Sequence, residues 1–521
     1  MTARLLIVLA LLVAVVGIPF ALRPKSSLLA AADDTLVIIS PHNEAIRYEF
    51  SRAFGEYYKA KTGRTVRIDW RLIGGTSEIA RYLQGEYFNA FQRDWENSGR
   101  SWNSKIAADY ANSAQPDSPA RKAFFASNVG IGIDLFFGGG SFDFIQQAKA
   151  GTLVDCGVIA AHPDWFTDAS IPQTVSGEPF YDPSGRWIGT CLSSFGICYN
   201  TDSLRRLGIT TIPSSWNDLA NPRFFRQVAL ADPTKSGSST KAFEMVIQQQ
   251  MQEVVGTGDA TDAALAGGWA RGMQLILKAS ANARYFAAGA NEVPVDVSMG
   301  DAAIGMCIDF YGRFQSEAVR VGTAPSRLQY FTPVGGSSIG VDPIGMLRGA
   351  PHPELAREFI AFVLSLEGQK LWDFKVGAPG GPKRYALRRM PIRKELYAPE
   401  FTAYRSDPDE QPYEAAKSFT YHESWTAPLF SALRYVIRVS CIDSHAEQAE
   451  AWHALIVANF PPQATATFLD ISAIDYATTK NVIRTAMKGA SPLDEVRLAA
   501  SLGDHFRAQY RKAEQLAKEG K

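Results

Sequence analysis

The sequence is short of the features that mark a specialised chain. Five cysteines in 521 residues (Cys156, Cys191, Cys198, Cys307 and Cys441) are few, and none sits in a C-x-x-C pair. That spacing excludes a sequence-marked zinc site or a thioredoxin-like redox motif. One or two disulfides stay open in an oxidising compartment, with buried thiols as the alternative. Basic blocks are missing too: 53 Lys and Arg balance 53 Asp and Glu with no cationic run, so the stripe a nucleic-acid binder needs is absent. Catalytic signatures are equally scarce. There is no G-x-S-x-G elbow and no H-E-x-x-H; residues 232–240 have the wrong spacing for a P-loop, and Gly130-Ile131-Gly132 opens its strand rather than ending it. No repeat or low-complexity tract interrupts the chain. What is present is an ordinary globular composition, 46% hydrophobic, long enough for two or three domains.

The first 32 residues carry Arg4, Arg23 and Lys25 and no acid. They therefore supply the whole of the apparent neutrality, and the remainder is mildly acidic. Leu5 to Leu22 is an apolar run, followed by the small residues Ala30, Ala31 and Ala32. This reads as an export signal or, uncleaved, as an N-terminal anchor. Either places the rest in the periplasm or on the extracytoplasmic face of the cytoplasmic membrane.

Short apolar strands then alternate with amphipathic helices. Strands are expected at 36–39, 66–70, 131–137, around 187–199, at 227–231 and at 303–308, with a long helix over 353–372. An aromatic-rich insert at 87–127, containing Trp95, Trp102 and Asn103, is expected to form helices or a flap at a cleft edge. Past residue 378 the chain turns loop-rich and then helical. Strand, small polar turn and helix in repetition imply a parallel α/β sheet.

The turns carry the functional signal. Ligands of an open α/β sheet bind beyond the carboxyl ends of its strands, and each helix start offers free N–H groups and the positive end of a dipole. Ser40, His42 and Asn43 occupy the first such turn, Gly75, Thr76 and Ser77 the second, and Gly139, Gly140 and Ser141 the third. Ser236, Ser238 and Ser239 occupy a fourth, and Asp309 and Tyr311 follow the strand at 303–308. Ser193 and Ser194 lie in the strand pair between. These residues are expected to bind an anionic or polyhydroxylated solute, with Tyr311, Trp70 or an aromatic of the insert as a wall. Ser, Thr and Asn also cap helices in any protein, which is the plain alternative. An acid/base pair of His42 and Asp309 is the enzymatic reading, without an activated nucleophile beside it.

The stretches LVIISPHNEAIRYEFSRAFGEYY (36–58), GGTSEIARYL (74–83), FGICYNTDSLRRLGI with PSSWNDLANPRF (195–224), ALADPTKSGSS (229–239) and PIGMLRGAPHPELAREFIAFVLSLEGQKLW (343–372) together resemble the periplasmic solute-binding proteins of ABC importers. That family includes ferric-ion, thiamine, polyamine and phosphosugar binders. The resemblance covers residues 34–390. It implies a two-lobe periplasmic-binding-protein type II fold with hinge strands: lobe 1 from 33–190 and 336–375, lobe 2 from 191–335, and a mainly helical C-terminal extension over 376–521. It further implies a monomer that binds a small molecule or ion without catalysis, needs no cofactor or nucleic acid, and meets an ABC permease in the cytoplasmic membrane. For a ferric cargo the ligands would be His42, Asp309 and Tyr311, while Gly139-Gly140-Ser141 stands where ferric binders carry an acid.

Overall fold

The computed structural model describes residues 32–113, 115–489 and 492–521; the N-terminal segment read as an export signal lies outside them. In the first part of the chain run β1 (Asp34–Ile39), β2 (Val66–Arg71), β3 (Leu135–Phe137) and β4 (Ile188–Ser193). β5 (Phe195–Asn200), β6 (Val228–Ala231), β7 (Ala283–Ala287), β8 (Ile304–Ile308) and β9 (Leu328–Phe331) follow, and β10 (Gly340–Leu347) and β11 (Met390–Pro391) return. They form two sheets. The first is ordered β11-β4-β10-β3-β1-β2 and the second β7-β6-β8-β5-β9. In the first, β1 pairs in parallel with β2 and β3, while β10 is antiparallel to β3 and β4. The second repeats the plan: β6 is parallel to β7 and β8, and β5 is antiparallel to β8 and β9. This is the two-lobe α/β architecture.

The lobes are joined by short crossovers. Ser194 alone separates β4 of one sheet from β5 of the other, and residues 332–339 lead from β9 back to β10. The pair expected around 187–199 is therefore split between the sheets at the crossover. β10 carries Pro343, which has no N–H for the ladder, and its pairing with β4 slips between Asp342 and Pro343.

Local chemistry sets the helix limits. α1 (Glu44–Thr62) starts where Asn43 Oδ1 accepts from Ile46 N at 3.1 Å and stops at Gly63, whose φ of 74° is left-handed. The helix expected over 353–372 is two, α6 (Pro353–Leu364) and α7 (Leu366–Asp373), because Ser365 is extended and its Oγ caps Gly368 N at 3.1 Å. Between them run α2 (Thr76–Asn97), α3 (Ser141–Ala150), α4 (Gly237–Val255) and α5 (Asp309–Ala318). The strand expected over 131–137 shrinks to β3. Gly132 turns the chain with φ 73°, and the carboxylate of fully buried Asp134 accepts from Val37 N and His352 N.

Two large cores result. One joins Phe50, Phe54, Phe137, Phe359 and Trp372; the other joins Trp216, Phe243, Trp269 and the C-terminal Leu433, Trp452 and Tyr510. Residues 376–521 do not form a body of their own. Leu387, Met390 and Ile392 pack in the first core, and from Phe419 onward the chain packs in the second. The aromatic-rich insert is no cleft flap. Residues 87–97 continue α2, two short helices follow, and Phe91, Trp95, Tyr110 and Phe124 are buried in the first core. All five cysteines are buried free thiols, with Cys198 and Cys307 neighbours in the second sheet.

Candidate functional site

The carboxyl ends of both sheets open on one cavity of about 1280 Å³ between the lobes. Its first wall is built by the turns after β1, β2 and β3, and its second by the turns before α4 and α5. Ser40, His42, Gly75, Thr76, Gly139, Gly140 and Ser141 line it from one side, and Ser193, Ser236, Ser238 and Tyr311 from the hinge and the other lobe. The lobes touch across it: a Cβ on Gly75 would lie 2.9 Å from the Lys235 carbonyl oxygen.

Five expected residues serve the frame instead of lining the cavity. Asn43 caps α1. Ser77 is 3% exposed, and Ser239 is turned inward with its N–H bound by Ser236 Oγ at 3.2 Å. Ser194 Oγ is 3.0 Å from Thr332 Oγ1 at the crossover. Asp309 is committed elsewhere: Oδ1 accepts from Phe310 N at 2.8 Å, and Oδ2 pairs with Arg313 at 2.6 Å, beside Asp407. The His42–Asp309 acid/base pair is thus not formed, and a ferric set of His42, Asp309 and Tyr311 would lack its carboxylate. Among the described residues, no group of three or more His, Cys, Asp and Glu side chains is placed to hold a metal ion.

The carboxylate beside His42 is Asp342, which sequence reasoning missed. Nε2 of His42 is 3.8 Å from Asp342 Oδ2 and 3.5 Å from Arg389 Nη1. Arg389, fully buried, ion-pairs with Asp342 and stacks 3.8 Å from the Phe310 ring centre. Burial lowers the His42 pKa, against the pull of Asp342, so the ring is neutral. Burial alone would raise that of Asp342, but Arg389 and then His42 hold it below the usual carboxylate range. His42 Nδ1 is buried without a partner among the described residues. The only sequence signal for Asp342 was Pro343 inside a strand, a mark of irregular pairing.

The glycines of the third turn have a steric cause. Gly138 and Gly139 have φ of 95° and 116°, and their missing Cβ atoms would lie 2.4 Å from His42 Nε2 and 2.5 Å from Thr76. An acid at Gly139 would collide with the start of α2.

Lys241 holds the hinge side of the cavity. Its Nζ is 2.8 Å from Glu178, 2.9 Å from Glu244 and 3.4 Å from the centre of the Tyr421 ring. Burial disfavours the ammonium, but the two carboxylates raise its pKa far above the ordinary value. The C-terminal chain forms a third wall through Tyr421, Glu423, Phe430, Ser431 and Arg484. Trp70, expected as a wall, donates to Ser51 instead; among the described residues Phe142, Phe195, Phe310, Tyr311, Tyr421 and Phe430 are the aromatic side chains that line the cavity. Burial raises the Tyr311 hydroxyl to about 12.

Residues 128–402, over half of the chain, match a family described as bacterial extracellular solute-binding protein. The chain belongs to that family. It is similar to a Haemophilus influenzae protein, 26% identical over 242 residues (46% of this chain, 60% of that one). It is also similar to the Fe(3+)-binding periplasmic protein of Serratia marcescens, 26% identical over 268 residues (50% of this chain, 69% of that one). Among solved structures, the periplasmic binding protein AfuA of Actinobacillus pleuropneumoniae with fructose-6-phosphate is 17% identical with a TM-score of 0.45, covering 74% of this chain and 95% of that one. The chain spans less than two thirds of the length of the Haemophilus protein.

Proposed function

We propose that this solute-binding chain is the extracytoplasmic receptor of an ABC importer. It captures a small anionic or polyhydroxylated solute between its lobes and hands it to a permease in the cytoplasmic membrane. The observation that carries this reading is the cavity of about 1280 Å³ at the carboxyl edges of both sheets, into which helix starts from both lobes point. Its carboxylates are largely spent on the protein: Asp342 on Arg389, Glu178 and Glu244 on Lys241, Glu78 on Gly75 N. Arg81, Lys149 and Arg484 line it without an ion pair among the described residues, which favours an anion. Ser193, Tyr311 and the Asp342 carboxylate suit hydroxyls at the floor. The iron named for the Serratia relative is the competing cargo, and the commitment of Asp309 to Arg313 weighs against it.

Binding to the folded state alone raises the melting temperature. The solute-free chain is expected to show a stabilisation confined to one solute class across a panel of phosphates, sugars, carboxylates, amines and metal ions. Equal melting across the whole panel counts against the reading.

A further inference from the structure

Asp143 stands in the first turn of α3, a place where a carboxylate favours its own helix and ordinarily faces water. Here it is 5% exposed and lies at the edge of the cavity, pressed between the lobes. α3 is anchored in the first core by Phe144. α4 and the helix Phe430–Ile437, which cover the carboxylate, are anchored in the second by Phe243 and Leu433. A Cβ built on Gly237 would lie 3.0 Å from Asp143 Oδ2 and 3.6 Å from Arg434 Nη2, so the acid and the guanidinium flank the first residue of α4. Among the described residues Asp143 makes neither a hydrogen bond nor an ion pair. The charged groups that act on it are Arg434, from that C-terminal helix, and Arg81, from α2, both cationic at every ordinary pH. Burial raises its carboxyl above the ordinary value, against the pull of the two arginines.

We propose that closing of the cleft takes up one proton on Asp143, so that acid tightens the hold on the solute and alkali loosens it. The inference rests on the solute-receptor reading and adds a regulation to it. When the lobes part, α4 and Arg434 leave with the second lobe, and Asp143 returns to water beside Arg81 with an ordinary pKa of about 3.9. The closed form therefore binds the proton more readily than the open one. Closing is favoured as pH falls through the closed-state value towards about 4, and above that value pH has no further effect. Each unit between the two values is about tenfold in the closing equilibrium. At neutral pH the ionised carboxylate opposes closure, and the solute's contacts, together with Phe142 against Phe430, overcome it.

The test is the distance between spin labels on Gln84→Cys in α2 and Asn291→Cys in the second lobe, exposed residues on opposite walls of the cavity. It is measured by pulsed electron resonance on the full solute-free chain, whose five native thiols are buried and stay unlabelled. Between pH 8 and pH 5 the distribution is expected to shift toward the short distance. The ratio of closed to open should rise about tenfold for each unit by which closure raises the carboxyl. Asp143→Asn should abolish the shift and be at least as closed at pH 8 as the parent at pH 5. Arg434→Met, which takes a cation from the closed form alone, should move the shift to higher pH and serves if Asp143→Asn does not fold. An unchanged distance in the parent, or a shift that persists in Asp143→Asn, would overturn the proposal. If the distance shortens with a solute from the panel of phosphates, sugars, carboxylates, amines and metal ions but not with acid, the proton coupling falls and the receptor reading stands. A distance that neither solute nor acid alters removes both.

Discussion

Arg389 lies with its guanidinium 3.8 Å from the centre of the Phe310 ring while pairing with Asp342, so one buried cation ties both lobes beneath the cavity floor. Arg389→Met keeps the volume and removes the charge, leaving Asp342 with only a neutral imidazole. Breaking a buried pair from one side costs about 3–5 kcal/mol, to be read in chemical denaturation. Adding Asp342→Asn should recover part of the loss. An Arg389→Met chain as stable as the parent would show that Asp342 is solvated well enough to need no partner.

His42 sets a pH dependence with a definite sign. Its folded pKa lies below its unfolded value of about 6.5, so the unfolded chain binds the proton more readily, and stability falls as pH drops below that value. His422 and His445 are lowered by burial as well and act in the same direction. Asp342, held below its unfolded value, adds a loss only at more acid pH, through its folded pKa. Denaturation of His42→Gln between pH 7 and pH 5 should show a shallower loss than the parent. Parallel curves would mean that His42 is protonated in the folded state.

Lys241 answers two carboxylates, Glu178 at 3% and Glu244 at 0% side-chain exposure. Glu178 comes from the chain ahead of β4, and Lys241 and Glu244 from α4, so the cluster spans the lobes. Lys241→Met leaves two buried acids facing each other, and the expected loss is again about 3–5 kcal/mol. A second change, Glu244→Gln, should restore most of it. Additive losses in that double-mutant cycle would refute the coupling.

Much of the frame was legible because strand and helix periods differ and each turn has its own chemistry. The run Leu36–Ile39, the Asn43 cap and the glycine-rich turns each specify local structure. The site was legible in part. His42, Thr76, Ser141, Ser236 and Tyr311 reach the cavity because they follow strand ends, a position sequence can locate. Asp309 also follows a strand end, yet Arg313 one helical turn on takes its carboxylate, and that competition depends on a rotamer. Asp342, Arg389 and Lys241 come from a strand interior, a loop and a helix distant in sequence, and only tertiary packing brings them to the site.

That closure gives the last prediction. Phe430, at the start of the C-terminal helix Phe430–Ile437, meets Phe142 of α3 with ring centres 4.3 Å apart. The helix is anchored in the second core by Leu433 and Val436, and α3 in the first by Phe144 and Ala148. The contact therefore belongs to the closed cleft and adds little to either core. An aromatic pair contributes about 0.5–1.5 kcal/mol beyond the area it buries, enough to move a two-state equilibrium severalfold. Phe430→Ala should leave the denaturation midpoint of the empty chain nearly unchanged while solute dissociates about threefold to tenfold faster. Stopped-flow release of bound solute measures the rate, and small-angle scattering should show a larger radius of gyration for the variant. A lower midpoint with an unaltered release rate would make Phe430 a core residue and leave closure to the hinge strands alone.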